Sequence, residues 1–269
     1  MTMFSPLRLL ICFVLMACGS VAAQEAAPES VPTQKLETVS EISIPDPATA
    51  IGNGPLRTDR KWFRKLWTSK RSVWTDPKIV AAQQGAVVFL GDSITQNWNE
   101  DFRKQFPGLK TANRGISGDT TRGMLIRLQD VLDLNPSAVV LLMGTNDIEE
   151  AATPEVALEN LKSILQRLKS HNAEMPIILN LVFPSHPTKR RPTEQIVAMN
   201  KLFSAAVKAD PQVTVIDTYK LWATDDGTAP QAQFPDFVHL NQSGYETWAG
   251  ALRPLLDELG LMPEKADSE

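Results

Sequence analysis

Short apolar runs rich in β-branched residues recur at positions 85–90, 138–143, 177–182 and 213–216, and between them the apolar positions fall at helical spacing. A short apolar run without polar alternation describes a strand buried on both faces. Strands of this kind separated by helices form a parallel sheet, because a parallel pair needs a long crossover and a helix supplies it. Residues 110–113 read as a shorter fifth strand. The expected class is therefore α/β, with a mostly parallel five-stranded sheet covered on both faces by helices. One helical stripe is marked by Thr121, Met124, Leu125, Leu128, Val131 and Leu132, and another by Leu158, Leu161, Leu165 and Leu168. Thr153 is placed to cap the second, and Pro154 suits its first position, where no N–H is needed. A third helix is expected over 193–208 with Ile196, Met199, Phe203 and Ala206 inward. A fourth starts near Ser243, with Tyr245, Trp248 and Leu252 inward.

At 269 residues with 43% hydrophobic positions, the chain supports one sizeable core and a short appendage. A net charge of −4 gives no general case for nucleic acid or an anionic membrane as partner. Residues 1–23 read as an export signal: Arg8, an apolar run over 9–16, then Val21-Ala22-Ala23 ahead of Gln24. That run is too short to span a bilayer, which takes about 20 apolar residues. Leu15-Met16-Ala17-Cys18 resembles a lipobox, so lipidation at Cys18 competes with cleavage before Gln24, and such an anchor is the one expected contact with a membrane. The expected location is outside the cytoplasm: periplasmic, envelope-bound or secreted. Both cysteines, Cys12 and Cys18, lie within the signal, so the mature domain forms no internal disulfide.

Residues 24–55 are rich in Ala, Glu, Pro, Ser and Thr, with Pro28, Pro32, Pro45 and Pro47 and no aromatic side chain, and read as a disordered tether. The folded domain is expected over 56–262, with a disordered tail at 263–269. Its first segment, 57–71, is basic and aromatic. A patch for polyanions is one reading, and an amphipathic helix with Trp62, Phe63 and Trp67 inward is the plainer one, since helical spacing alone accounts for the pattern.

In an open parallel sheet, ligands bind beyond the carboxyl ends of the strands. Val87-Val88-Phe89-Leu90 runs directly into Gly91-Asp92-Ser93-Ile94-Thr95, which puts Ser93 at such an end. A serine there caps a helix more often than it catalyses. To act as a nucleophile it needs a base to take its proton and a third group to orient that base. Of the three histidines, His171 follows a long helix, and His186 lies in Pro184-Ser185-His186-Pro187, a loop suited to lining a cleft. His239 follows Asp236 by three residues, so that a tight turn aims the carboxylate at the ring, although such a pair is often only structural. Acyl transfer also needs donors where charge develops on the carbonyl oxygen. The glycine-bearing loop 113–119 exposes backbone N–H groups, with Gly118 permitting close approach, and Asn146 in Gly144-Thr145-Asn146-Asp147 offers a side-chain amide.

The blocks Gly91-Asp92-Ser93-Ile94, Gly115-Ile116-Ser117-Gly118-Asp119, Gly144-Thr145-Asn146-Asp147 and Asp236-Phe237-Val238-His239 resemble, in order, the four signature blocks of the SGNH (GDSL) hydrolases. Over residues 87–256 the chain resembles the branch that includes the catalytic subunits of intracellular platelet-activating-factor acetylhydrolase. The resemblance implies a three-layer α/β/α, flavodoxin-like sandwich with no cofactor, and no second histidine stands at ligand spacing for a metal. It implies Ser93 as nucleophile, His239 as base, Asp236 as its partner, and the Ser93 and Gly118 N–H groups with the Asn146 amide as oxyanion hole. The Gly-x-Ser-x-Gly elbow of the α/β-hydrolases is absent, since Ile94 and Thr95 follow Ser93.

The expected function is a serine esterase acting on short, acetyl-type esters, with an acetylated carbohydrate as leading substrate. Trp98 and His186 are the candidate substrate contacts, although a place in the core is the plainer reading of Trp98, and Lys189-Arg190-Arg191 is placed to meet an anionic group at the cleft rim or to form a solvated loop. Three alternatives stand beside it: a lysophospholipase or thioesterase on the same residues, a metal-dependent hydrolase built on Asp92, Asp236 and His239, and a catalytically silent envelope or carbohydrate-binding protein.

Overall fold

The computed structural model describes residues 42–98 and 104–263. The expected export signal, residues 24–41 of the expected tether and residues 264–269 of the expected tail lie outside the described residues.

Five strands, β1 (Val87–Gly91), β2 (Thr111–Gly115), β3 (Ala138–Leu142), β4 (Ile177–Asn180) and β5 (Val213–Ile216), form one sheet in the order β2-β1-β3-β4-β5. Every pairing is parallel. The expected fifth strand begins one residue later than read and runs on to Gly115, where Gly91 of β1 pairs with it. Alternate residues of the central strands enter different cores. Val88, Leu90, Val139 and Leu141 face one cluster, while Val87, Phe89, Val140 and Leu142 face the other. This is the period-2 consequence of burying a strand on both faces, and it gives the three-layer α/β/α sandwich.

The first cluster is closed by α4 (Thr121–Ile126), α5 (Gln129–Leu132), α7 (Pro154–His171) and α8 (Thr193–Val207). The second is closed by α3 (Ser93–Asn97) and α9 (Gln242–Glu258), with Tyr245, Trp248 and Leu252 inward as expected. Trp248 is fully buried and donates Nε1 to Asn180 Oδ1 at 2.8 Å, while Asn180 Nδ2 bonds the Leu141 carbonyl at 3.0 Å. A polar side chain at the end of a buried strand is thereby satisfied and locks α9 to the sheet.

Several sequence expectations are corrected. The stripe from Thr121 to Leu132 is two helices. The chain breaks at Arg127, whose buried guanidinium reaches Asp119 at 2.6 Å and the Gly91 carbonyl at 2.9 Å. Thr153 stands at the N-cap of α7 but makes no side-chain cap bond, leaving Pro154 as the start signal. In α8, Ile196, Met199 and Phe203 are buried but Ala206 is exposed, and Val207 takes the inward place. Finally, residues 42–55 are not a free tether. Arg122 donates to the carbonyls of Pro47, Ala50, Ile51 and Gly54 at 2.6, 2.9, 3.2 and 3.0 Å. Asn160 exchanges bonds with the Asn53 backbone at 3.2 and 2.9 Å. Ile44 packs against the cluster of Phe63, Trp67, Trp74 and Ile116, and the backbone of the segment is held by side chains far along the sequence.

Ahead of the sheet, α1 (Lys61–Trp74) and α2 (Pro77–Ala82) precede β1. Phe63, Trp67 and Trp74 of α1 bury against Ile116, as an amphipathic helix requires. Trp62 departs from the expectation: it is 50% exposed. Among the described residues, no helix is long and apolar enough to cross a membrane.

Candidate active site

The chain order 2-1-3-4-5 changes direction between β1 and β3, and the carboxyl ends of those strands border the crevice such a reversal opens. Ser93 follows β1 by two residues and opens α3. Asp92 caps that helix, its Oδ1 accepting from the Ile94 N–H at 2.9 Å. The cap fixes the turn, so Ser93 is held at the head of the helix and only 7% exposed.

His239 arrives from the opposite end of the chain, on the turn before α9. Its Nε2 lies 2.8 Å from Ser93 Oγ and its Nδ1 2.7 Å from Asp236 Oδ2. An ionised carboxylate only accepts, so Nδ1 carries the proton, Nε2 is the acceptor, and the serine hydroxyl donates to it. The turn is built from Asp236 itself, whose Oδ1 accepts from the Val238 and His239 N–H groups at 3.0 and 2.8 Å. Partial burial pushes this carboxyl up, but the bonds from the His239 backbone and ring and from Val238 outweigh it, and the group is held at about 2. Phe237 pays the conformational cost at φ +63°. Its carbonyl accepts from Ser185 Oγ at 2.8 Å and its ring lies against His186, centroids 4.7 Å apart.

Two backbone donors stand open here. Among the described residues, no acceptor meets the N–H of Ser93 or of Gly118. Gly118 has φ +83°, a conformation that favours glycine. Asn146, in the first turn of α6 (Thr145–Glu149), adds a third donor: its Nδ2 spends one hydrogen on the Asp119 carbonyl at 2.8 Å and keeps the other. The same bond ties the loop after β2 to the helix after β3.

Sequence reasoning missed what holds Asn146. Arg191 is 5% exposed, neither a rim cation nor part of a solvated loop. It donates Nη2 to Asn146 Oδ1 at 3.2 Å and to Glu149 Oε2 at 2.9 Å, and Nε to Thr145 Oγ1 at 2.9 Å. A cation on the amide oxygen fixes which end of Asn146 is the donor and polarises it. Arg57 joins the cluster, pairing with Glu149 at 2.5 Å and Glu150 at 2.8 Å. The Lys-Arg-Arg run carried no sign that one of its three members turns inward.

Of the two candidate substrate contacts, Trp98 takes its plainer reading and not the sugar-stacking one. It is 2% exposed and packs on Phe89, Phe106, Tyr245 and Trp248, so it is core. His186 is half-buried beside Phe237, within the segment that supports the histidine turn.

Residues 89–247 match the model of the GDSL-like lipase/acylhydrolase family. The chain belongs to this family. Platelet-activating factor acetylhydrolase IB subunit alpha1 of Homo sapiens is 31% identical over 176 residues, covering 63% of this chain and 74% of the relative. Subunit alpha2 of the same species is 28% identical over 177 residues, covering 64% and 76%. Among solved structures, a GDSL-like lipase from Bacteroides thetaiotaomicron superposes with TM-score 0.61 at 25% identity, covering 72% of this chain and 97% of that one. The lipase/acylhydrolase from Enterococcus faecalis gives TM-score 0.56 at 26% identity, covering 67% and 99%. The family expected from the four sequence blocks is thus the family found, and this GDSL-like acylhydrolase is an ester-hydrolysing enzyme. Among its described residues, no cluster of three His, Cys, Asp or Glu side chains is placed to hold a metal ion.

Two buried carboxyls of the acylhydrolase give it a pH signature. Burial pushes Asp92 up to about 6, against the Ile94 N–H and the Arg191 charge, and Asp147 up to about 7, against two bonds from Thr121. The folded chain then binds protons more tightly than the unfolded one, so their contribution to stability is full below about pH 4 and is lost as pH rises to about 7. Asp147→Asn is expected to shrink the fall in melting temperature between about pH 5 and about pH 8. A fall as steep as in the parent chain would contradict the assignment.

Proposed function

We propose that this acylhydrolase cleaves short-chain, acetyl-type esters by two-step acyl transfer on Ser93, with an acetylated carbohydrate as its substrate, outside the cytoplasm. The observation that carries the mechanism is the unbroken chain of hydrogen bonds from Ser93 Oγ through His239 to Asp236, beside two unengaged backbone donors. His239 Nε2 takes the hydroxyl proton as Oγ attacks the ester carbonyl. Asp236 holds the ring in the tautomer that can accept the proton and stabilises the imidazolium that forms. The Ser93 and Gly118 N–H groups and the free Asn146 hydrogen meet the oxyanion. His239 then gives its proton to the leaving alcohol, and water, activated by the same ring, releases the acid and restores Ser93.

The acetyl preference is supported by the two relatives named as acetylhydrolases and by the short connections from β1 to Ser93 and from β3 to Asn146, which build no tunnel wall. The signal-like residues 1–23 support export, and a glycan is the abundant ester-bearing polymer an exported enzyme meets. On p-nitrophenyl esters, kcat/KM is expected to fall as the acyl chain lengthens beyond a few carbons. A rise with chain length would favour the lysophospholipase or thioesterase reading. Saccharide binding without hydrolysis of any ester would favour the silent binding protein.

A further inference from the structure

The buried stripe of α1 is Phe63, Trp67, Arg71 and Trp74. Trp62 lies one residue off that stripe, so the core does not require an aromatic there. Its indole reaches inward at one edge only. A Cβ added to Gly118 would lie 2.6 Å from Trp62 Cη2 and 3.0 Å from Arg57 Nη1, so the far end of the ring covers the glycine whose N–H is open. Phe63 supports the ring edge-to-face at 5.8 Å and 81°. Half of the side chain's surface remains in solvent. A large indole fixed at one edge and open elsewhere, beside a reacting carbonyl, is a stacking platform for a ring.

The charge around it narrows the ring's chemistry. The helix holds five cations and no carboxylate, in a chain of net charge −4. Arg71 is engaged with Asp130 at 2.7 Å, and Arg64 with the Thr58 carbonyl. Lys61 and Lys65 are exposed, and among the described residues neither has an ion-pair or hydrogen-bond partner. They stand four residues apart, an arrangement of like charges that weakens a helix, and Lys65 is three residues from Trp62, on the same side. The platform is also rigidly joined to the reacting centre. Arg57 and Arg60 bind Glu149 and Glu150, and Glu149 binds the Arg191 that holds Asn146.

We infer that Trp62, flanked by Lys61 and Lys65, forms the leaving-group subsite of this enzyme, stacking a sugar ring and recognising a carboxylate carried by the saccharide. The inference rests on the ester-hydrolysis reading above for its position beside the reaction, and on the exposed indole and unpaired ammonium groups for its ligand.

Two measurements on the full chain test it, one of them independent of hydrolysis. In a binding titration with unesterified oligogalacturonate and neutral xylo-oligosaccharide, the acidic ligand is expected to bind about tenfold tighter at low salt, with the advantage lost at high salt. Trp62→Ala weakens both ligands and Trp62→Phe restores most of the loss, whereas Lys61→Gln/Lys65→Gln weakens the acidic one alone. Equal binding of the two saccharides, or binding that is indifferent to Trp62→Ala, overturns the inference. In hydrolysis, the ratio of kcat/KM on acetylated oligogalacturonate to that on ethyl acetate is expected to fall about tenfold in Trp62→Ala, and an unchanged ratio overturns the subsite. Saccharide binding that follows these variants in a chain hydrolysing no ester would support the platform while striking the esterase mechanism. Hydrolysis of ethyl acetate with no saccharide binding would do the reverse.

Discussion

Ser93→Ala is expected to lower kcat for ester hydrolysis by roughly 10⁴- to 10⁶-fold while leaving the fold intact. Among the described residues the hydroxyl oxygen bonds His239 Nε2 alone, and the helix start is capped by Asp92 instead. Its removal therefore costs the nucleophile and little packing. The residual rate would be the part owed to the oxyanion donors and to binding. Circular dichroism and a melting temperature close to that of the parent chain would separate lost chemistry from lost structure. A loss of less than about tenfold would mean another group attacks the ester.

Asn146→Ala is expected to lower kcat by about 10²- to 10³-fold, with a much smaller change in KM, because the amide donor matters most once negative charge has formed on the carbonyl oxygen. This variant also leaves the Asp119 carbonyl and one Arg191 N–H without their partner, so some loss of stability should accompany it. Arg191→Lys separates the two effects. It keeps the buried positive charge beside Glu149 but gives up the planar fork that holds Thr145, Asn146 and Glu149 together. It should therefore reduce kcat less than Asn146→Ala, with KM again nearly unchanged. A variant of Asn146 that raised KM alone would place the residue in ground-state binding instead.

The sheet was legible because strands buried on both faces have little choice of composition: the runs at β1 and β3 hold no polar side chain, and those at β4 and β5 hold one each, Asn180 and Thr214. β2 was harder to see, since Asn113 and Arg114 interrupt it. Arg114 is buried by lying over Trp74, 5.0 Å from the ring centroid, a solution no local pattern announces. The site was legible where chemistry limits residue type, at a serine, a histidine, its carboxylate and an amide, each at a strand or helix boundary. Arg191 and Trp62 escaped for a common reason. A cationic run and an amphipathic helix each have a usual arrangement, and in each case one member departs from it: Arg191 turns into the protein and Trp62 turns out of it. Residues 42–55 escaped because much of their order comes from Arg122 and Asn160, which hold the backbone from far along the sequence.

Ester hydrolysis on Ser93 requires its activation by a histidine 146 residues away along the chain. Reaction with a fluorophosphonate probe, followed by peptide mass analysis, tests that most directly. The expected result is a single adduct on Ser93, forming rapidly in the parent chain and suppressed by His239→Ala. An adduct on a different residue, or labelling of Ser93 at the same rate when the imidazole is gone, would contradict it.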